Sequence, residues 1–412
     1  MAGFGRWSLW NAIRHLRSRR GMTLPTLING IVQYTRVPLR TLCPLTTYES
    51  SLKLDLQEAC ICSRLATIIY GSAFRIFFEE RNGFLARVAG LVLTYTPNLR
   101  TTYRKALTRE ELGRIIELSN VIKGVVLAHS LRCRLKYEPV WVLLADHRRM
   151  RFVVVVRGTQ DLGDVLIDGE VTPVELLDRY YIHKGMLQAA KYITRTLHPA
   201  IERYKETHCA RCYTLLITGH SLGAGVAAAL GIYLQAFSPQ TYEGKIRVVG
   251  FGCPAMGSMP FCRDAHPWIT NYIYDTDMAC RLSVHSVLVL QERIRRLHQS
   301  QEEGRRLCSE ELSELFHTEM DLYVPGRLVL IQPIGKEGSY PEGNNYYHPE
   351  DMYTPAIEIA NSAFGGRKEY TMREARQHEL GELILNEAGI FDHGAYSHVF
   401  KFIEDHNYVP ID

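Results

Sequence analysis

The chain has 412 residues, 46% apolar and 22% charged, a usage typical of globular proteins and enough to bury a sizeable core without disulfide or metal staples. Its 48 Lys and Arg against 44 Asp and Glu leave a formal net charge of +4, too balanced to point to nucleic acid. No apolar run reaches the roughly 18 residues that a membrane-spanning helix needs.

The distribution of charge says more than its sum. No Asp or Glu precedes Glu49, whereas Arg6, Arg14, Arg17, Arg19, Arg20, Arg36 and Arg40 all do. Between the first arginines Trp7, Trp10, Ile13 and Leu16 recur every three residues, an apolar stripe on a basic helix if the segment is helical. Residues 1–50 are therefore set apart as a basic, acid-poor segment. Three readings stay open for it: contact of residues 1–20 with an anionic lipid surface, an organellar targeting peptide, or a plain basic tail. The ten cysteines are scattered, with a lone C-x-x-C at Cys209 and Cys212, and read as free thiols of an intracellular protein.

From residue 51 onward a single domain is expected. Its first part, about 51–135, has helically spaced apolar positions such as Leu52, Leu56, Leu65, Ile69, Phe74 and Phe77, with a further helix over Glu110–Ile122. Two short apolar runs, Val140–Ala145 and Arg151–Val156, flank a polar turn and predict a hairpin feeding a buried sheet. Beyond it helices are expected at Ile182–Tyr204 and Leu222–Phe237, and strands at Tyr213–Thr218, Ile246–Phe251, Ile269–Tyr274 and Arg327–Ile331. That alternation predicts an α/β fold, a mostly parallel sheet covered by helices. A charged, helix-patterned insert at about 286–319 and a Gly-, Pro-, Asn- and Tyr-rich loop at Gly335–Pro349 interrupt it, and are candidates for a cap or regulatory element.

Gly219-His220-Ser221-Leu222-Gly223 lies between the Tyr213–Thr218 strand and a helix start rich in small residues. This is the setting of a nucleophile elbow: the glycines allow a turn too tight for side chains, and the serine is held strained with its hydroxyl exposed. A hydroxyl at neutral pH is a poor nucleophile, so a base must take its proton and an acid must orient that base. In such a fold the order along the chain is Ser, acid, His. The strand Ile269–Tyr274 runs into Asp275-Thr276-Asp277, and Asp392-His393-Gly394 stands near the C-terminus. Spacing alone leaves Asp275 and Asp277 open. Gly394 predicts a loop around His393, whereas His398 falls at the start of a final helix, so His393 is the expected base. Thr159, after the Arg151–Val156 strand, and the Leu222 amide are candidate oxyanion donors. His220 reads as structural, and Asp164 and Asp168 as caps or structural hydrogen-bond partners. The histidines at 285, 298, 317 and 348 lack a common spacing and suggest no metal site.

Arg157-Gly158-Thr159, the elbow Gly219–Gly223, the Asp277–Leu282 segment and the Asp392–Tyr396 segment together resemble the class 3 lipase family. The helical region preceding the hairpin is most similar to the intracellular sn-1-specific diacylglycerol lipases. His183-Lys184-Gly185-Met186 and Val324-Pro325-Gly326 also stand where that family has a His-x-Gly and a Pro-Gly. The resemblance, over roughly residues 110–400, implies an α/β-hydrolase fold and catalysis by Ser221, Asp277 and His393, with Thr159 and Leu222 in the oxyanion hole and no cofactor. It implies a glycerolipid substrate at a membrane or droplet surface, with diacylglycerol hydrolysis the first expectation. A phospholipase A1 or galactolipase on the same scaffold is the nearest alternative, and a non-catalytic membrane or calmodulin-type binding protein a more distant one. The chain departs from the family at Cys280, where a proline is common.

Overall fold

A computed structural model describes residues 56–70, 124–130, 137–158, 173–302, 322–334, 357–359, 369–381, 383 and 388–405. The basic segment 1–50, the expected helix Glu110–Ile122, Thr159, Asp164, Asp168, the later part of the insert (303–319) and the Gly335–Pro349 loop lie outside the described residues.

In chain order the elements begin with helix α1 (Leu56–Ile68) and strands β1 (Gly124–Ser130), β2 (Trp141–Asp146), β3 (Arg151–Val156), β4 (Pro173–Leu176) and β5 (Tyr180–His183). Helix α2 (Lys184–Thr207), strand β6 (Thr214–His220), helices α3 (Leu222–Phe237) and α4 (Pro239–Tyr242), strand β7 (Ile246–Phe251), helix α5 (Met259–Ala265) and strand β8 (Ile269–Tyr274) follow. Helices α6 (Met278–Arg281) and α7 (Val284–Glu302), strands β9 (Arg327–Ile334), β10 (Ile357–Ile359) and β11 (Glu369–Glu374), and helices α8 (Ala388–Gly394) and α9 (Tyr396–Asp405) complete the described chain.

Nine strands form one sheet in the order β1-β2-β3-β6-β7-β8-β9-β11-β10. Its centre, β3-β6-β7-β8-β9, is parallel, and both margins are antiparallel. This is the α/β-hydrolase arrangement. Successive side chains of a strand point to opposite faces, so β3 sends Phe152, Val154 and Val156 one way and Val153 and Val155 the other. All five are buried, because the sheet is covered on both sides, and that is why β3 reads as an uninterrupted apolar run. On the first face lie α2, through Met186, Ala190, Ile193 and Leu197, and α3, through Ala224, Ala227 and Ala228. The second face is covered by α1, through Ala59, Cys62 and Leu65, and α9, through Val399, Phe400 and Ile403.

Helix α3 is apolar nearly all round because it is buried against both β6 and β7. An ionic network ties α1 to the opposite end of the sheet from the elbow: the buried Arg151 bonds Glu58 and, at 3.1 Å, Asp146, while the half-exposed Arg247 reaches Glu58 at 2.6 Å. Among the described residues no helix is long and apolar enough to cross a membrane.

Strand β3, helix α3 and strands β7 and β8 have the bounds expected from sequence. The expected helix at Ile182–Tyr204 needs correction. Tyr180 and Ile182 are buried and Tyr181 between them is exposed, a period of two, so these residues pair with β4 as β5. The helix starts only at Lys184, where the His183 ring accepts a hydrogen bond from the Met186 amide at 3.4 Å. Strands β1, β4, β10 and β11 had no counterpart in the sequence reading.

Candidate active site

Strand β6 delivers its last residue, His220, to the carboxyl edge of the sheet, and the chain then reverses into α3 through Ser221. Ser221 has φ 59° and ψ −132°, a left-handed backbone that costs a non-glycine residue about 1–3 kcal/mol. The surroundings enforce it. The Ser221 N–H donates to the Phe251 carbonyl of β7 at 2.8 Å, and the Ser221 carbonyl accepts from the Ala224 N–H at 2.9 Å. A Cβ on Gly219 would lie 2.4 Å from the Gly223 carbonyl oxygen, and one on Gly223 would lie 2.3 Å from that of Val156. The turn is thus closed by backbone on backbone, which only glycine at both positions permits. The Ser221 hydroxyl makes no cap bond to α3, although it occupies the N-cap position. Leu222 opens α3, so its amide is among those a helix leaves without an intrahelical partner, and the helix dipole favours negative charge there.

Two strands along, β8 runs through Asp275 and Thr276 to Asp277. The fully buried Asp277 side chain caps α6, its Oδ1 accepting from the Ala279 amide at 2.7 Å. Helix α8 carries His393 against it. The His393 Nδ1 donates to Asp277 Oδ1 at 2.9 Å and lies 3.1 Å from Oδ2. Tyr396 donates its hydroxyl to Oδ2, and the Cys280 thiol approaches the same oxygen at 3.7 Å. Burial pushes the Asp277 carboxyl up, but the His393 charge and the hydrogen bonds from His393, Tyr396 and the Ala279 amide outweigh it. Its pKa is held below the ordinary value, and it is ionised at neutral pH.

Gly252, with φ 62°, fits between the elbow and this pair. A Cβ there would lie 2.7 Å from Asp277 Oδ2 and 3.0 Å from two atoms of the His393 ring. Ser221 bonds the preceding residue, Phe251, so the imidazole packs against the residue next to the one that anchors the elbow. Among the described residues no hydrogen bond joins Ser221 to His393.

Of the residues picked out from sequence, Ser221, Leu222, Asp277 and His393 converge at this edge, and Thr159 falls outside the described residues. The acid against the imidazole is Asp277. Asp275, with φ 43°, is the turn residue that aims it. His393 is not on a loop, as expected, but in the last turn of α8. Gly394 ends that helix rather than breaking it into coil, as glycine does at helix C-termini. His398 lies in α9, its amide bonded to the Ala395 carbonyl. Two contributors had no role assigned in the sequence reading: Gly252, and Tyr396, which stood only as the end of the Asp392–Tyr396 segment. Tyr396 carried one usable signal, its position three residues after His393.

The model of the class 3 lipase family matches residues 153–286, from β3 through the elbow and Asp277 into α7. Over that stretch, about a third of its length, the chain is similar to class 3 lipases. His393 and the C-terminal helices stand outside the matched stretch. The chain is 36% identical over 167 residues to diacylglycerol lipase-beta of Mus musculus, covering 39% of this chain and 24% of that protein. It is 33% identical over 113 residues to diacylglycerol lipase-alpha of Homo sapiens, covering 25% of this chain and 11% of that protein. The chain thus spans about a quarter or less of the length of these relatives. Lipase II of Rhizopus niveus aligns in structure with a TM-score of 0.43 and 14% identity, over 67% of this chain and 80% of that chain.

Proposed function

We propose that this protein hydrolyses a fatty-acyl ester of a glycerolipid, with diacylglycerol the preferred class, at a membrane or droplet surface. The observation that carries the reading is the His393–Asp277 pair, buried and hydrogen-bonded, packed across Gly252 from the strained Ser221 elbow. The similarity to diacylglycerol lipases supports the substrate class.

The chemistry follows from these groups. The Ser221 oxygen attacks the ester carbonyl carbon while His393 takes the hydroxyl proton on Nε2. The carbonyl oxygen becomes an oxyanion, stabilised by the Leu222 amide and, in this proposal, by Thr159. Collapse of the tetrahedral intermediate breaks the ester C–O bond, and His393 returns the proton to the departing glycerolipid oxygen. Water then repeats the sequence on the acyl-enzyme, releasing the fatty acid and restoring Ser221. Asp277 stays ionised throughout and stabilises the imidazolium. None of these steps calls for a cofactor. An intracellular, peripheral-membrane setting is part of the proposal, supported by the basic Trp- and Arg-bearing stripe of residues 1–20.

The test is labelling of the full chain with a fluorophosphonate, followed by assay on a lipid panel. Wild type is expected to label at Ser221 and to release fatty acid fastest from diacylglycerol. Ser221→Ala is expected to lose labelling, with turnover down by on the order of 10⁶-fold. Faster release from a phospholipid or galactolipid moves the substrate class to those lipids. Absent labelling of folded wild type rejects the enzyme.

A further inference from the structure

Behind the elbow lies a second set of buried polar groups that the reaction above does not use. His220 and Tyr70 are both buried, and they come from segments 150 residues apart, the last strand position before Ser221 and the turn after α1. The Tyr70 hydroxyl lies 3.1 Å from His220 Nδ1, the two rings meeting edge to face at 71°. On the other side of the ring, His220 Nε2 lies 2.6 Å from the main-chain carbonyl of His393, with the two imidazoles 4.5 Å apart.

The protons in this chain can be assigned. A carbonyl oxygen only accepts, so His220 Nε2 carries the hydrogen. Burial, reinforced by the neighbouring His393 charge, pulls the His220 pKa down to about 3, so the ring is neutral and Nδ1 is bare. The Tyr70 hydroxyl, 3.1 Å from Nδ1 and 3.2 Å from the His220 main-chain carbonyl, is the donor to His220 on this side. Burial also pushes the Tyr70 phenol well above its ordinary value, so that donor is not lost at any ordinary pH. The Gly158 amide in turn bonds the phenol oxygen, and Gly158 immediately precedes Thr159. One directed chain thus runs from Gly158 to Tyr70 to His220 to the His393 carbonyl. It ends on an atom that needs a partner, because a carbonyl in the last turn of a helix has none within the helix.

We propose that His220 and Tyr70 are positioning residues of this site: together they clamp the His393 main chain, so that the imidazole is fixed at its backbone by His220 and at Nδ1 by Asp277. The inference rests on the proposed roles of Ser221 and His393. Neither residue touches the ester. The clamp fixes the direction of Nε2 of His393, the one atom of that residue which must move a proton. An error of about 1 Å at such an atom costs up to a hundredfold in rate.

The test measures saturation kinetics of fluorophosphonate labelling on the full chain, with rates normalised to the folded fraction read by near-UV circular dichroism. Tyr70→Phe keeps the ring and removes the donor. It is expected to lower the limiting labelling rate about tenfold or more while the half-saturating probe concentration stays within about twofold. His220→Gln retains an N–H at the Nε2 position and is expected to recover much of the rate that His220→Leu loses. A purely structural role predicts reduced thermal stability with the limiting rate per folded molecule unchanged, and that result overturns the assignment. So does equal labelling by the Gln and Leu variants, should Tyr70→Phe not fold. If wild type labels and Tyr70→Phe labels equally fast, the positioning role alone falls. If wild type fails to label, the hydrolase reading falls with it.

Discussion

Asp277 receives hydrogen bonds from the Ala279 amide, the His393 ring and the Tyr396 hydroxyl, and a weaker one from the Cys280 thiol. Such a carboxylate is pre-aimed, and its second task, selecting the imidazole tautomer, depends on its being an acceptor only. Asp277→Asn puts an N–H₂ among donors, inverts the tautomer and is expected to cost on the order of 10⁴-fold in turnover of a soluble short-chain ester. Asp275→Asn is expected to cost far less in the same assay. Asp392, beside His393, behaves oppositely. Burial, together with the charges of Asp275 and Asp277, pushes its pKa up to about 7 against two hydrogen bonds from Thr276. Between about pH 4 and pH 7 the folded state therefore holds a proton that the unfolded state has released. Stability is fully present below pH 4 and is lost as pH rises through 7. Asp392→Asn keeps the acceptor for Thr276 and removes this dependence. Its thermal midpoint is expected to gain on wild type between pH 5 and pH 8, and a constant difference would refute the assignment.

At the scale of elements, the elbow is where β3, β6 and α3 touch through backbone alone. A methyl on Gly223 meets the Val156 carbonyl oxygen at 2.3 Å and the Gly158 amide at 2.7 Å, and neither can swing aside. Gly223→Ala is expected to lower stability by about 1–3 kcal/mol in urea titration and, by displacing the end of β3, to reduce ester turnover. The same elements show what a sequence reveals. Strand β3 and helix α3 were legible because their apolar runs end on arginine, glycine or serine, and the elbow because all its constraints fall within five consecutive residues. Strand β1 (GVVLAHS) is only half buried and its pattern is weak, while β5 merges into the apolar stripe of α2 without a break. Asp277 and His393 were found by order along the chain and by family resemblance. Tyr70 had no local signal at all, since its meaning depends on a partner 150 positions away.

For the molecule as a whole, the second face of the sheet is closed jointly by α1 and α9, from opposite ends of the described chain. Cys60 bonds the Phe400 carbonyl, and Arg64 pairs with Glu404. Residues 1–20 precede this closure in sequence and lie outside the described residues. Their removal is expected to weaken binding to anionic liposomes and to leave hydrolysis of a soluble short-chain ester unchanged. Equal liposome binding by both forms would rule out lipid contact through this segment. The two-sided burial of the sheet has its own consequence before the fold exists. Phe152-Val153-Val154-Val155-Val156, harmless once α2, α3, α1 and α9 have covered it, is in the nascent chain a charge-free, proline-free β-forming run, the kind that pairs with its own copies. Its parallel neighbour β6 begins only at Thr214, so the run waits for a partner made much later. Arg151 and Arg157 bracket it directly. In the folded protein one holds Glu58 and Asp146, and the other donates its amide to the Val140 carbonyl. In the unfolded chain the same two charges act as gatekeepers against aggregation.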